Sequence, residues 1–341
     1  MKKEIITLKK LAQILNLSTS TISRSLNNRP GISQSTKDRV KKAALKFNYT
    51  PNIFAQGFRL KKTNIIGVIV PKISHYFTST VLDGIIEEVE SYGYTVLVFE
   101  SKNNFERQTE MLNTMLQFGV DGILMSLTRE TKNIQNILNI LERVPLVLFD
   151  KVSKKIPCTQ IIINDKKSAF DAIEHLINIG KKRIAIFKEA ENSFISEQRF
   201  QGYLQALESH GFPIDEKLIL STEDISLKQG KRLADIVLAL KTKPDAIFAI
   251  TDSCAIGAIQ VLKTHNIKIP EDIAVVGFSN SFSSTIIEPN LTTIDQPGNK
   301  IGKIAVKYLM QELERDSKDN FFNKTVEIQT NLIIRGSTFN A

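Results

Sequence analysis

The sequence predicts an α/β chain in which a small helical module at the N-terminus precedes two similar lobes built on parallel sheets. Three observations carry this reading. Positive charge is concentrated at one end, short apolar runs alternate with helical patterns through the rest, and the order of those runs repeats once. With 341 residues, 42% of them hydrophobic and 24% charged, the chain is long enough for several domains, and its composition excludes disordered and fibrous classes. Cys158 and Cys254 lie far apart beside apolar segments, so buried free thiols are expected and neither a disulfide nor a metal site is. No apolar run approaches the roughly 18–20 residues of a membrane span, and Lys9, Lys10 and Gln13 interrupt the stretch that an export signal needs; a cytoplasmic protein is expected.

Residues 1–62 carry 14 Lys and Arg against only Glu4 and Asp38, a net of +12, so the overall +9 leaves −3 for the other 279 residues. A basic module on a mildly acidic body reads as a polyanion binder joined to something that does not bind polyanions. The alternative, a solubilising basic tail, lacks hydrophobic periodicity, which this segment has. In TLKKLAQIL, Leu8, Leu11, Ala12 and Leu15 share a helical face and Thr7 can cap the first turn. Ser18 offers a second cap after a short break, and TSTISRSL turns Ile22 and Leu26 inward and Thr19, Ser20, Ser23 and Arg24 outward. Two helices so closely spaced form a helix-turn-helix. Beyond the NNRPG turn, Ser33 starts a third helix whose Val40, Ala44, Leu45 and Phe47 are expected to complete a small core, with Arg39, Lys41, Lys42 and Lys46 on its solvated side. Short polar residues at the start of the second helix and a guanidinium one turn later suit entry into the DNA major groove, with Arg24 forked onto a guanine and Thr19 and Ser20 on nearby base edges. Helix capping alone is the other reading of Thr19 and Ser20. In residues 51–62, Pro51 stops the third helix, and IFAQGFRL is too short to hold a helix unaided.

From residue 64, NIIGVIV, YTVLVF, VDGILMS and PLVLFD alternate with helical stretches, and after Ile163 the series returns as RIAIF, PDAIFAI and IAVVGFSN. Continuous apolar strands separated by helices imply parallel sheets covered on both faces. Gly93 and Gly211, Asp121 and Asp245, and Phe149 and Phe278 are matching positions 118, 124 and 129 residues apart. A further helix over Ile301 to Leu313, a strand over Val326 to Ile328 and a last apolar piece follow. Loops at the carboxyl ends of such strands would meet a small ligand between the lobes. Those loops offer SHYF with Tyr76 and Phe77, then Ser126, Asp150, Ser193, Arg199, Thr251 with Asp252, and Ser279 with Asn280. An aromatic ring near an Asp and an Arg grips polyols and planar anions. The duller readings are loop tightening or helix capping for Asp150, Asp252 and Asn280, and core packing for Phe77. His75, His175, His210 and His265 share no metal-ligand spacing, and no phosphate-binding glycine loop, GxSxG elbow or HExxH motif occurs, so no cofactor and no catalysis are expected.

The run from TLKKLAQILNLSTSTISRSLNN through GISQSTKDRV and FNYTPN to TNIIGVIVP resembles the lactose-repressor/galactose-repressor (LacI/GalR) family of transcriptional regulators, and the likeness extends over essentially the whole chain. The resemblance implies a helix-turn-helix headpiece over 1–50, a hinge over 51–62 and a two-lobed, periplasmic-binding-protein-like body over 63–341. Within that body it implies one lobe over about 63–162 and 292–325 and the other over about 163–291 and 326–341. Thr7, Thr19, Ser20, Ser23, Arg24 and Asn27, with Ala55, Gln56, Phe58 and Arg59 of the hinge, are the DNA-contacting set it implies. Phe58 matches the apolar wedge that paired hinge helices insert into the minor groove, its other reading being packing between headpiece and body. Gln56 stands where many members have Arg. Tyr76, Phe77, Asp150 and Arg199 fall on effector-contacting positions, whereas Thr251 and Ser279 stand where Asn and Asp are common. The function expected is that of a sequence-specific regulator, a repressor, bound as a homodimer to a pseudo-palindromic operator and switched by a carbohydrate or related metabolite. The alternative is a two-lobed sugar-binding or sugar-metabolising protein with a DNA-binding extension. The C-terminal TNLIIRGSTFNA lacks a leucine heptad, so a dimer without a tetramer-forming appendix is expected.

Overall fold

The computed structural model describes residues 6–50, 62–129, 131, 133–190, 194–315 and 323–339. The chain divides into two compact units, Met1–Thr63 and Asn64–Ala341.

In the first unit, α1 (Leu8–Leu15), α2 (Thr19–Leu26) and α3 (Gln34–Lys46) each begin at a hydroxyl cap. Thr7, Ser18 and Ser33 accept the amide N–H groups of Lys10, Thr21 and Thr36 at 3.2, 3.1 and 3.3 Å. Each bond satisfies a donor that the first helical turn would otherwise leave open. Leu11, Ala12, Leu15, Ile22, Val40, Ala43 and Ala44 make the core, with Leu26 and Phe47 packed at its edge. Leu45 departs from expectation: it is 79% exposed. Val40, Ala43 and Ala44, with Phe47 at the edge, fill the inward stripe at helical spacing, and Leu45 falls outside that stripe. Arg39 is exposed, as expected, and its guanidinium also donates to the Leu15 carbonyl at 2.9 Å, which closes the end of α1.

The second unit contains two six-stranded sheets. The first runs β11-β5-β4-β3-β1-β2, with β1 Ile65–Val70, β2 Thr95–Glu100, β3 Gly122–Met125, β4 Leu146–Phe149, β5 Gln160–Ile163 and β11 Thr325–Ile328. Every pairing in it is parallel. The second runs β12-β10-β9-β8-β6-β7, with β6 Ile184–Glu189, β7 Ile219–Thr222, β8 Ala246–Ala249, β9 Ala274–Phe278, β10 Thr292–Asp295 and β12 Asn331–Ile333. Only β12 is antiparallel in it, at the edge against β10. Between the strands lie α4 (Tyr76–Ser91), α5 (Phe105–Phe118), α6 (Gln135–Leu141), α7 (Asp165–Asn178), α8 (Phe194–Ser209), α9 (Leu227–Leu238), α10 (Asp252–Thr264), α11 (Ser283–Ile286) and α12 (Gly298–Glu314). Strand residues such as Ile66, Val68, Val147, Ile247 and Val275 are fully buried, as strands covered on both faces must be.

The crossings between lobes differ from the expected boundaries. Residues 292–295 pair with β9 in the second sheet, and residues 325–328 pair with β5 in the first. The second lobe therefore holds β10, and the first regains the chain at α12 and keeps β11. The strand TTID carries one aliphatic residue in four, so it has no apolar run by which to be recognised. Cys158 and Cys254 are buried free thiols, each pushed up to about 12 by burial.

Equivalent helix pairs in the two lobes approach through glycine. A Cβ on Gly84 of α4 would lie 2.1 Å from the Asn299 carbonyl oxygen, and one on Gly302 of α12 would lie 2.2 Å from that of Val81. In the second lobe, Gly230 of α9 and Gly257 of α10 stand in the same relation to Cys254 and Leu227, at 2.1 and 2.2 Å. A side chain there would force the helices apart. Gly230→Val is expected to destabilise the body by about 1–3 kcal/mol, the usual cost of overpacking, with a lower urea midpoint by circular dichroism; an unchanged midpoint would contradict this packing.

Candidate functional site

Two places gather the residues singled out by the sequence. On the headpiece, Thr19, Ser20 and Arg24 are exposed on one side of α2, while Ile22 points into the core and Ser25 is buried, donating to the Thr21 carbonyl at 2.8 Å. Ser20 shares a 2.7 Å hydrogen bond with Ser18, the cap of the helix. Ser23 is half-buried, and Asn27 closes the helix by donating its amide to the Ser23 carbonyl at 2.9 Å. Thr7 serves as the cap of α1. Among the described residues the Arg24 guanidinium has no partner, and short hydroxyl side chains stand one turn before it. Ala55, Gln56, Phe58 and Arg59 lie outside the described residues, as does Ser193.

The second place is the cleft where the carboxyl ends of both sheets meet. From the first lobe, β3 ends at the buried Ser126 and β4 ends at Asp150, whose φ of 62° turns the chain sharply out of the strand. The Ser126 hydroxyl donates to Asp150 Oδ2 at 3.2 Å. Burial pushes the Asp150 carboxyl up from 3.8 to about 6; Lys151, Arg199 and the Ser126 hydrogen bond counter that rise and Asp165 adds to it. Tyr76 is exposed at the start of α4, and Phe77 beside it packs partly into the core.

From the second lobe comes Arg199 on α8, only 5% exposed. It donates from Nε to Asp165 Oδ1 at 2.8 Å and from Nη1 to the Ile250 carbonyl at 2.6 Å, and its guanidinium lies 3.5 Å from the ring centroid of Phe278. Salt bridge, hydrogen bond and stacking hold the plane of the fork and leave three of its five N–H donors without a partner among the described residues. Burial raises the Asp165 carboxyl and Arg199 pulls it back.

One ion pair spans the cleft directly. Arg129, just after β3, joins Nη2 to Glu189 Oε1 at the end of β6 and donates from Nη1 to the Glu223 carbonyl at 2.7 Å. The first lobe thus grips the second at two points.

Other expected contacts turn inward. Asp252 is 2% exposed, and its oxygens accept the Ser281 amide and the Thr293 hydroxyl, each at 2.6 Å. Asn280 donates to Asp295 at 2.9 Å and accepts from Arg335 at 2.6 Å. Thr251 caps α10 and donates to the Ile225 carbonyl at 3.0 Å. Ser279 donates to Gln296 at 2.7 Å. Loop tightening and capping describe the contacts of Asp252, Asn280 and Thr251. Sequence reasoning passed over Arg129, Lys151, Asp165, Glu189 and Phe278. The available signal was charge directly after an apolar strand, as in LFDK, IIIND and IAIFKE.

A family profile described as bacterial regulatory proteins, lacI family, matches residues 7–52, and one described as periplasmic binding proteins and sugar binding domain of LacI family matches residues 63–335. The chain belongs to the LacI family. It is 32% identical over 332 residues to the NTD biosynthesis operon regulator NtdR of Bacillus subtilis (strain 168), covering 97% of this chain and 99% of that one. It is 30% identical to catabolite control protein A of Priestia megaterium over 92% of this chain and 95% of that one. In fold it is similar to a lac repressor dimer bound to operator and the anti-inducer ONPF, with a TM-score of 0.86, 23% identity and coverage of 99% and 100%. This LacI-family chain is therefore a DNA-binding transcriptional regulator with an effector-binding body, and not an enzyme. Among its described residues no group of side chains could hold a metal ion and no helix is long and apolar enough to cross a membrane.

The buried pair of Arg199 and Asp165 yields a stability test. Arg199→Gln strands the Asp165 carboxylate and is expected to cost about 3–5 kcal/mol of body stability in guanidinium melts. Arg199→Gln combined with Asp165→Asn should recover part of that loss, and a double variant no better than the single one would contradict the pairing.

Proposed function

We propose that the chain acts in the cytoplasm as a homodimer on a pseudo-palindromic operator, and that a sugar or closely related polyhydroxylated metabolite, filling the cleft, changes its hold on that DNA. The observation that supports this most is the opposition of Asp150 and Arg199 across the cleft, close enough for the guanidinium to influence the carboxyl. A carboxylate accepts from hydroxyls and an immobilised fork donates to them, the complementary pair that a polyol requires. Ser126 fixes the first group, and Asp165 with Phe278 fixes the second, so little ordering remains to be done when a ligand arrives. Asp252, Asn280 and Thr251 then serve by shaping the second lobe's loops.

An apolar patch on the second lobe supports the dimer. Phe282, which precedes α11, and Ile286, its last residue, are both 67% exposed, and Ile334 and Phe339 are 52% and 58% exposed. Arg335 joins the two stretches, donating to Ser284 at 2.9 Å and Asn280 at 2.6 Å. Four large apolar side chains in one tied region mark a contact surface, and a twofold partner presents the same patch in return. Phe282→Asp is expected to shift sedimentation towards monomer; an unchanged dimer would remove this patch from the interface.

On the DNA side, Thr7, Thr19, Ser20, Ser23, Arg24 and Asn27 are the proposed headpiece contacts, and Ala55, Gln56, Phe58 and Arg59 are proposed from sequence. Arg24→Ala is expected to lose about 1–3 kcal/mol of discrimination at one base pair of each half-site, measured by competition between duplexes. An unchanged preference would exclude Arg24 as a base reader.

The cleft also predicts a pH dependence. The folded Asp150 carboxyl titrates at about 6 against an ordinary 3.8, so ionising it disfavours the fold; its stabilising contribution is fully present below about pH 4 and lost as pH rises through about 6. The ionised carboxyl is the stronger acceptor for an effector hydroxyl. Effector affinity by calorimetry is therefore expected to fall as pH drops from about 7 to 5, and Asp150→Asn should flatten the profile. The effector itself is sought by thermal shift of the full chain with a sugar panel, since a ligand that binds only the native state raises its melting temperature. A sugar that stabilises the chain and alters operator affinity supports the proposal; one that binds without altering it counts against the switch.

A further inference from the structure

In the cleft, two of the cations are accounted for. Arg199 is paired with Asp165, and Arg129 with Glu189. Asp150 takes the Ser126 hydroxyl. Lys151 remains. It is half-buried, and among the described residues its ammonium has neither a carboxylate within 4.0 Å nor a hydrogen-bond acceptor. It lies within the fields of Asp150 and Arg129 from the first lobe and Glu189 and Arg199 from the second, and burial lowers its pKa. A second donor stands nearby without a partner, the buried Nε of Arg129. The two residues issue from neighbouring loops that are joined by the Leu127 N–H to Lys151 carbonyl hydrogen bond of 2.9 Å.

A neutral polyol would satisfy Asp150 and enclose the Lys151 ammonium with no counter-charge of its own. Desolvating a cation without compensation is among the least favourable events in a binding site. An acidic substituent on the ligand removes that difficulty and gives Arg129 Nε an acceptor. Arg129 already joins the lobes through its two Nη atoms, so an anion held there would also tie the ligand to the element that bridges the cleft.

We infer that the effector carries an anionic group, a carboxylate or a phosphate ester, seated on Lys151 Nζ and Arg129 Nε while its hydroxyls meet Asp150 and Arg199. This rests on the cleft reading proposed above and narrows it from sugars in general to sugar acids and sugar phosphates.

The test uses the full-length chain and matched probes: glucose, glucuronate, gluconate and glucose 6-phosphate; ribose and ribose 5-phosphate; and inorganic phosphate. Each is assayed by thermal shift and titration calorimetry on the parent chain and on Lys151→Gln, Lys151→Arg and Asp150→Asn. At least one anionic probe is expected to bind the parent more tightly than its neutral counterpart. Lys151→Gln should weaken it about tenfold or more, as loss of a charge-assisted bond does, and Lys151→Arg should restore it. Preference among the uronate, the aldonate and the phosphates separates carboxylate from phosphate recognition. A neutral sugar whose binding is lost in Asp150→Asn but indifferent to Lys151→Gln would overturn the anion and spare the cleft. Responses indifferent to Asp150 and Lys151 alike would overturn both, and the absence of any Lys151-dependent response to an anion would overturn the inference.

Discussion

A strand buried on both faces must place its polar chemistry at its ends, and this body gathers its clustered charges beyond the carboxyl ends. The central strands of both sheets follow that pattern most closely. β1, β3, β4, β8 and β9 are almost wholly apolar within the sheet, and charge gathers at the carboxyl ends, at Asp150 after Phe149 and at Lys188 and Glu189 where β6 ends. Because the two sheets turn these ends towards each other, side chains that neither lobe could bury alone find partners across the cleft. Arg129 with Glu189 is the direct case, and the mutual influence of Asp150 and Arg199 is the indirect one.

That arrangement explains why Arg199 is so heavily tethered. An arginine that is 5% exposed survives in the fold because Asp165, the Ile250 carbonyl and the Phe278 ring each compensate part of its lost hydration. The same contacts freeze its orientation, which is what a recognition group requires. Arg335 does similar work further back, binding Asn280, Ser284 and the Leu291 carbonyl, so that the loop after β9 is held by the C-terminal stretch.

Much of this was legible in the residues. Hydroxyl caps at Thr7, Ser18 and Ser33 marked three helix starts, the charge asymmetry separated headpiece from body, and apolar runs marked the central strands. What was hidden had physical causes. β5, β7 and β10 are four-residue strands containing Gln, Ser or Thr, and so resemble loops until their pairing is seen. The lobe crossings followed from that difficulty, since β10 could not be assigned to the second sheet by pattern. Asp252 and Asn280 sit in the right loops for ligand contact, but whether a carboxylate faces outward or back onto a backbone amide depends on the register of the neighbouring loop. Leu45 was misplaced because α3 offers several aliphatic residues and only one face to bury them. Lys151 drew no notice because a lysine after an aspartate reads as solvated until the facing lobe covers it.

The proposed coupling makes closure of the cleft the quantity that the DNA senses, and the ion pair of Arg129 and Glu189 is the part of that closure that can be removed without knowing the effector. A linked equilibrium transmits about 1–3 kcal/mol between such sites, which is roughly a 5- to 150-fold change in affinity. The most direct measurement is fluorescence anisotropy of a duplex selected from a random pool by the full-length chain, titrated at one salt concentration with the parent, Arg129→Ala, Glu189→Gln and the double variant. The account predicts that each single variant changes the dissociation constant about fivefold or more in the same direction, and that the double variant adds little to either. Duplex affinities equal to the parent's in all three variants would contradict it.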